Sequence, residues 1–190
     1  PSFDRICMWI LEKDPAAVLY FLGLWEPLNS AFLSRLRADP DRVLVVEVSD
    51  RFPTTLGLGE HRHRLHLEQI DVLVESDREP FVIGDPEPSD DERAIAGFVD
   101  DYVVDGATIQ TGIGGVPSTV ASLLAAGDKG DFGIHSEMFT TGLMKLHLAG
   151  KVTNRKGIFD GVSVTTFAAG TRELYDWLDD NREVAFLPVH

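Results

Sequence analysis

Cysteine is nearly missing from this chain: Cys7 is the only one in 190 residues. That excludes an intrachain disulfide and a Cys-x-x-Cys metal knuckle, and it fits a reducing compartment, so a cytoplasmic location is expected. Positive charge is also scarce. Seventeen Lys and Arg stand against 31 Asp and Glu, a formal net charge of −14. Nucleic acid is bound by clustered positive charge, so no nucleic-acid partner is expected. No apolar run is long enough to span a bilayer: the longest, residues 16–25, is half of the roughly 20 residues a membrane helix needs, and no membrane partner is expected. The first residues, Pro1-Ser2-Phe3-Asp4, have no initiator Met and no basic segment leading into an apolar one, so they are not expected to be a secretory signal. The chain is expected to begin inside a longer protein.

What is present describes a globular chain. Hydrophobic residues make up 44% and charged residues 25%, enough for a sizeable core in one large domain or one and a half small ones. Residues 29–37 carry Phe32, Leu33 and Leu36 at helical spacing, while 42–48 and 70–74 are Val- and Leu-rich runs that read as strands. Residues 79–91 gather Pro80, Pro86, Pro88 and several acids around Gly84 and read as a linker. Ser89 and Glu92 then have capping-box spacing, and Ile95, Phe98, Val99, Tyr102 and Val103 follow the amphipathic pattern of a helix that ends near Gly106 as a C′ glycine. From there elements alternate: strand 107–111, glycine loop, helix 117–126, strand 132–135, helix 137–149, strand 162–167, helix 171–179, strand 184–188. Such alternation implies an α/β fold, a largely parallel sheet with flanking helices.

In open α/β sheets ligands sit beyond the carboxyl ends of the strands. Two segments fall there on this reading. Gly112, Gly114 and Gly115 can adopt positive φ and let backbone N–H groups approach an oxygen closely, and Pro117 suits the first turn of a helix whose N-terminus favours anions. Such a loop can hold a phosphate or an oxyanion; it equally serves as a tight strand-to-helix turn with no ligand. It is not the GxGxxG dinucleotide fingerprint, because Pro117 stands where the last glycine would be. That counts against a nucleotide-dependent oxidoreductase. The second segment is His135-Ser136-Glu137-Met138. On position alone, a glutamate in the first turn of the 137–149 helix reads as a surface charge that complements the helix dipole. His61-Arg62-His63-Arg64-Leu65-His66 places basic groups alternately on one strand face but brings no recognisable metal-ligand spacing, so no metal is expected. Lys151, Arg155 and Lys156 read as a basic surface loop.

The segments DGATIQTGIGGVPSTV (105–120), GIHSEMFTTGLMKLHLAGKVTN (133–154) and TTFAAGTRELYDWLDDNREVAFLPV (165–189) closely resemble the acetyl-CoA hydrolase/transferase family, which includes acetate and 4-hydroxybutyrate CoA-transferases. VVEVSDRFPTTLG (45–57) and LHLEQIDVLVES (65–76) are similar to the end of that family's first domain. The resemblance implies the CoA-transferase fold: residues 1–78 a remnant of an N-terminal α/β domain, 79–91 a linker, and 92–190 most of a second α/β domain with the catalytic motif. It places the covalent nucleophile of the H-S/T-E-M motif on Glu137. It further implies coenzyme A or acyl-CoA as substrate, a small carboxylate as partner, and a ping-pong cycle through a glutamyl-CoA thioester.

The chemistry suits the residue type. A glutamate ordinarily has a pKa of about 4.3, so it is anionic at neutral pH and attacks without a general base. Each attack builds charge on a carbonyl oxygen, which a preorganised donor stabilises by about 3–4 kcal/mol in favourable cases. Gly114 and Gly115 are the candidate donors, with Gly112 and Pro117 completing the loop. Gly170 and Thr171, at another strand-to-helix junction, either line the acyl or CoA pocket or simply cap a helix. The chain departs from the family in lacking a Pro-Asp-x-x-Gly turn before residue 42 and in stopping at His190, ahead of later family segments. It is therefore expected to be a middle slice that self-associates as a homo-oligomer or needs a partner chain to cover its exposed sheet edge. The alternative to an enzyme is a truncated, non-catalytic CoA-binding or assembly module.

Overall fold

Parallel strands cannot be joined by a tight turn; each pair needs a crossover of a dozen residues or more, and the Val- and Leu-rich runs of this chain are spaced to supply one. The computed structural model describes residues 18–19, 43–59, 66–85 and 87–187. The helix expected over 29–37 and the basic residues His61 to Arg64 lie outside the described residues, as does most of the 16–25 run.

Two parallel sheets result. The first has the order β1 (Val18–Leu19), β2 (Leu44–Ser49), β3 (Val72–Ser76), with Val45 level with Val72. Leu44 and Val46 are its buried residues on β2, and the Leu44 amide donates to Asp71 Oδ2 at 2.7 Å. The second sheet is built from α1 (Asp90–Tyr102), β4 (Thr108–Ile109), α2 (Gly115–Ala126), β5 (Gly133–Phe139), α3 (Thr141–Leu148), β6 (Ser163–Ala168), α4 (Arg172–Leu178) and β7 (Val184–Phe186). Its order is β4-β5-β6-β7, all parallel. This is the α/β architecture that the sequence implies. No helix among the described residues is long and apolar enough to cross a membrane.

The core lies between the second sheet and its helices. Phe132, Ile134, Phe139, Leu143, Leu146, Leu174 and Phe186 are essentially inaccessible to solvent. The Ser89/Glu92 capping box forms as expected, with Ser89 N donating to Glu92 Oε2 at 2.7 Å. The helix it starts, however, ends at Tyr102, and Gly106 takes its positive φ of 75° in the following turn rather than at C′. On α1 the small Ala96 is the buried residue, while Ile95, Phe98 and Tyr102 are exposed. The apolar stripe is real, but the side chain used to pack the helix is the alanine within it.

Residues 79–85 do not hang free between the sheets. Ile83 N donates to Gly170 O at 2.8 Å, Tyr175 Oη donates to Phe81 O at 2.6 Å, and Lys145 Nζ donates to Asp85 Oδ2 at 2.6 Å. Residues 54–56 cover the outer edge of β7: Phe186 N donates to Leu56 O, Asp180 N donates to Thr54 O, and Thr54 N donates to Asp179 Oδ1. A free edge would offer unpaired N–H and C=O groups to other chains; here part of it is closed from within.

His147 on α3 sits with only 6% of its side chain exposed, against Phe139 and Trp177. Its Nε2 shares a 2.8 Å hydrogen bond with Ser163 Oγ. Burial pushes its pKa down to about 4. Glu183 lies 3.7 Å from Nδ1, but it is 67% exposed and solvent screens it. The unfolded chain binds a proton near pH 6.5 that the folded chain refuses, so stability is complete above that pH and falls as pH drops from 6.5 towards 4. The loss should approach about 3 kcal/mol by pH 4. Denaturant midpoints recorded from pH 7.5 to 4.5 will test this: the decline should flatten in His147→Gln, and an equally steep decline there would assign the effect to other groups.

Candidate active site

Glu137 is placed by a strand, not by a helix. Helical spacing puts it in the first turn of a 137–149 helix; instead β5 continues through Phe139 and α3 begins at Thr141, with Thr140 as its N-cap. The reason is a period of two: Ile134 and Ser136 are buried while His135 and Glu137 are exposed, which is the alternation of a pleated strand. Glu137 therefore does not compensate a helix dipole. Ser136, a polar residue at an inward position, is satisfied there. Its Oγ donates to Met138 O at 2.7 Å and to Thr111 O at 3.3 Å, and accepts from Thr111 N at 3.3 Å. Thr165 Oγ1 donates to Glu137 O at 3.0 Å, so the backbone under the carboxylate is fixed from β6. The carboxylate itself has no hydrogen bond or ion pair among the described residues.

Beside it lies a cavity of about 380 Å³ lined by Gln110, His135, Ser136, Glu137, Val164, Thr165, Thr166 and Leu187. Register explains the gathering. His135 is level with Val164 and Ser136 with Thr165, so Glu137 stands beside Thr166 on one sheet face, flanked by the residues that follow β4 and β7. His135 packs edge-to-face on Phe159, centroids 6.1 Å apart. Among the described residues no cluster of three or more His, Cys, Asp or Glu side chains could hold a metal ion.

The glycine loop is not part of the cavity wall. Gly114 has φ 125° and is the N-cap of α2, a conformation that only glycine adopts freely. Gly112 has open space where a Cβ would be, whereas a Cβ on Gly115 would collide with the Glu92 carboxylate. Pro117 lies in the first turn of α2, where its missing N–H costs nothing. Ser118 Oγ donates to Asp85 Oδ1. Burial works to raise the Asp85 carboxyl, but hydrogen bonds from Lys145 and Ser118 outweigh it and hold the group below its usual range. Two protein carboxylates thus already stand at the N-terminus of α2.

Gly170 and Thr171 lie at the β6–α4 junction with their backbone groups engaged. Gly170 N donates to Tyr175 Oη at 3.2 Å, Gly170 O accepts from Ile83, and Thr171 N donates to Thr141 Oγ1 at 3.0 Å. Thr171 is the N-cap of α4 by position, but its hydroxyl makes no capping hydrogen bond. A Cβ on Gly170 would strike Thr141 Oγ1 and stand 2.7 Å from Leu174 Cδ2. Gly170→Ala should therefore cost about 1–3 kcal/mol through overpacking, measurable by urea denaturation; an unchanged midpoint would show that the junction is loose. The basic group Lys151, Arg155 and Lys156 is engaged with protein oxygens: Lys151 Nζ with Gly127 O, Arg155 Nη2 with Asp131 Oδ1, and Lys156 Nζ with Phe159 O. His66 is exposed.

No protein-family profile matches the chain. Curated relatives do. Over 150 residues the chain is 41% identical to a probable butyrate:acetyl-CoA coenzyme A-transferase of Syntrophomonas wolfei, a match that covers 78% of this chain and 33% of the relative. Among solved structures, RipA from Yersinia pestis superposes with a TM-score of 0.75 at 33% identity, covering 88% of this chain and 37% of that one. A 4-hydroxybutyrate CoA-transferase from Porphyromonas gingivalis gives a TM-score of 0.71 at 28% identity, covering 91% and 43%. The chain is thus similar in sequence and fold to CoA-transferases and spans about a third of the length of the curated relatives it matches.

Proposed function

We propose that the protein carrying this chain is an acyl-CoA:carboxylate CoA-transferase in which Glu137 is the covalent nucleophile. The observation that carries this reading is a carboxylate without a protein partner among the described residues, held on a rigid strand at the wall of a small cavity. The Glu137 carboxylate attacks the acyl-CoA carbonyl, the C–S bond breaks, and CoA leaves as a thiolate from a mixed anhydride. The thiolate then attacks the glutamyl carbonyl, releases the first carboxylate and leaves a glutamyl-CoA thioester. An acceptor carboxylate reverses both steps. No proton is transferred at any point, so the cycle needs no general base.

The cavity volume of about 380 Å³ is at the small end for ligand pockets. It suits a short acyl chain and its carboxylate, with the nucleotide of CoA outside. The 112–117 loop begins two residues after Gln110, which lines the cavity, and the space around Gly112 is where the CoA arm would pass. Incubating the full-length protein with acyl-CoA and isotopically labelled acetate tests the reading. Label should enter acetyl-CoA. Hydrolysis without label transfer would make the protein a CoA hydrolase, and CoA binding with neither reaction would leave a non-catalytic module.

A further inference from the structure

The same cavity contains a polar group that nothing so far has assigned. Ser136 and Thr165 point their hydroxyls into hydrogen bonds within the sheet, and His135 packs on Phe159. Of the remaining polar side chains, Gln110 and Thr166 make no hydrogen bond to a described residue, and both line the cavity with Glu137.

Gln110 is held firmly although its side chain makes no hydrogen bond to a described residue. On one side Ile109 is in register with Ile134; on the other Thr111 is bound through N and O to Ser136 Oγ and through Oγ1 to Thr140 Oγ1 at 3.2 Å. Gln110 is thereby level with His135 and shares a sheet face with it and with Glu137. A neighbouring strand and a step of two residues put the Gln110 and Glu137 Cα atoms about 8 Å apart. Two side chains of this length converging over that span leave room for one carbonyl group between them.

We infer that Gln110 is the side-chain donor to the reacting carbonyl oxygen: its Nε2–H groups receive the negative charge that develops when Glu137 attacks the thioester. This inference rests on Glu137 being the nucleophile. An uncharged amide suits the role, since it donates without lowering the reactivity of the carboxylate as a fixed cation would. The glycine loop lies outside the cavity wall, and the start of α2 already faces Asp85 and Glu92, so the oxyanion donor and the loop are separate parts of the site.

The test is the single-turnover rate at which acyl-CoA labels Glu137 in the full-length protein, compared for wild type, Gln110→Glu and Gln110→Ala. Gln110 is exposed and unbonded to described residues, so both variants should melt with the wild type. Each should slow labelling about 100-fold or more, with acyl-CoA affinity little changed, and Gln110→Glu should be the slower. Wild-type rates in both variants would overturn the assignment of Gln110 alone. Loss of acyl-CoA affinity at an unchanged labelling rate would also overturn it, by making Gln110 a binding residue. No labelling of the wild type would instead defeat the reading of Glu137.

Discussion

Replacing Glu137 with Gln should lower acyl transfer by about four orders of magnitude or more, with an unchanged melting temperature. The size of the effect follows from the role. An amide cannot form the anhydride, and among the described residues no second carboxylate lines the cavity to take over. The stability expectation follows from the surroundings: the side chain is exposed and makes no described contact, while its backbone is fixed through Thr165. Steady-state transfer rates and a thermal melt on the same preparations check both halves. A loss of less than tenfold would remove Glu137 from the chemistry, whereas a large loss with a lowered melt would make it structural.

The second large effect is expected away from the cavity, at Asn154. Only 3% exposed and at φ 53°, it accepts the Ile134 amide on Oδ1 at 2.9 Å and donates to Ser163 Oγ at 3.1 Å. Through Ser163 it is linked to His147. Ile134 belongs to β5, three residues before Glu137, so this side chain takes the place of a ladder partner for the strand that carries the carboxylate. Asn154→Ala leaves a buried N–H without a partner, about 1–3 kcal/mol, and puts a Cβ without local hydrogen bonding in the left-handed region, about 1 kcal/mol more. Unfolding free energy should fall by about 3 kcal/mol in all. Asn154→Gly, which relieves the backbone but not the amide, should recover about a third of that. Equal midpoints for wild type and Asn154→Ala would mean that β5 is held by its neighbouring strands alone.

Most of the alternation of the second sheet is legible in the sequence, because its strands are short Val-, Ile- and Phe-containing runs bounded by glycine and by N-cap residues. The position of Glu137 relative to the strands is legible as well, but its secondary structure is not. Ser136 hides the period of two: a serine at a buried position looks like a break in a strand until its bonds to Thr111 and Met138 are seen. The packing of α1 through Ala96, and the docking of residues 81–85 on Gly170, Tyr175 and Lys145, depend on partners 60 or more residues away in several cases. No local pattern encodes those. Gln110 stands two residues before the first glycine of the loop, where the motif draws attention past it. The signal that could have found it is a lone polar side chain at the carboxyl end of a strand, where α/β sheets place their ligands.

The central claim is that acyl-CoA makes a covalent bond to one particular carboxylate. Peptide mass spectrometry of the full-length protein, quenched during turnover with acyl-CoA, addresses it directly. The modified peptide should be the one spanning Gly133 to Phe139, with CoA on the side chain of Glu137 and no modification after excess acceptor carboxylate is added. An adduct on any other residue, or turnover with every carboxylate unmodified, would contradict the account.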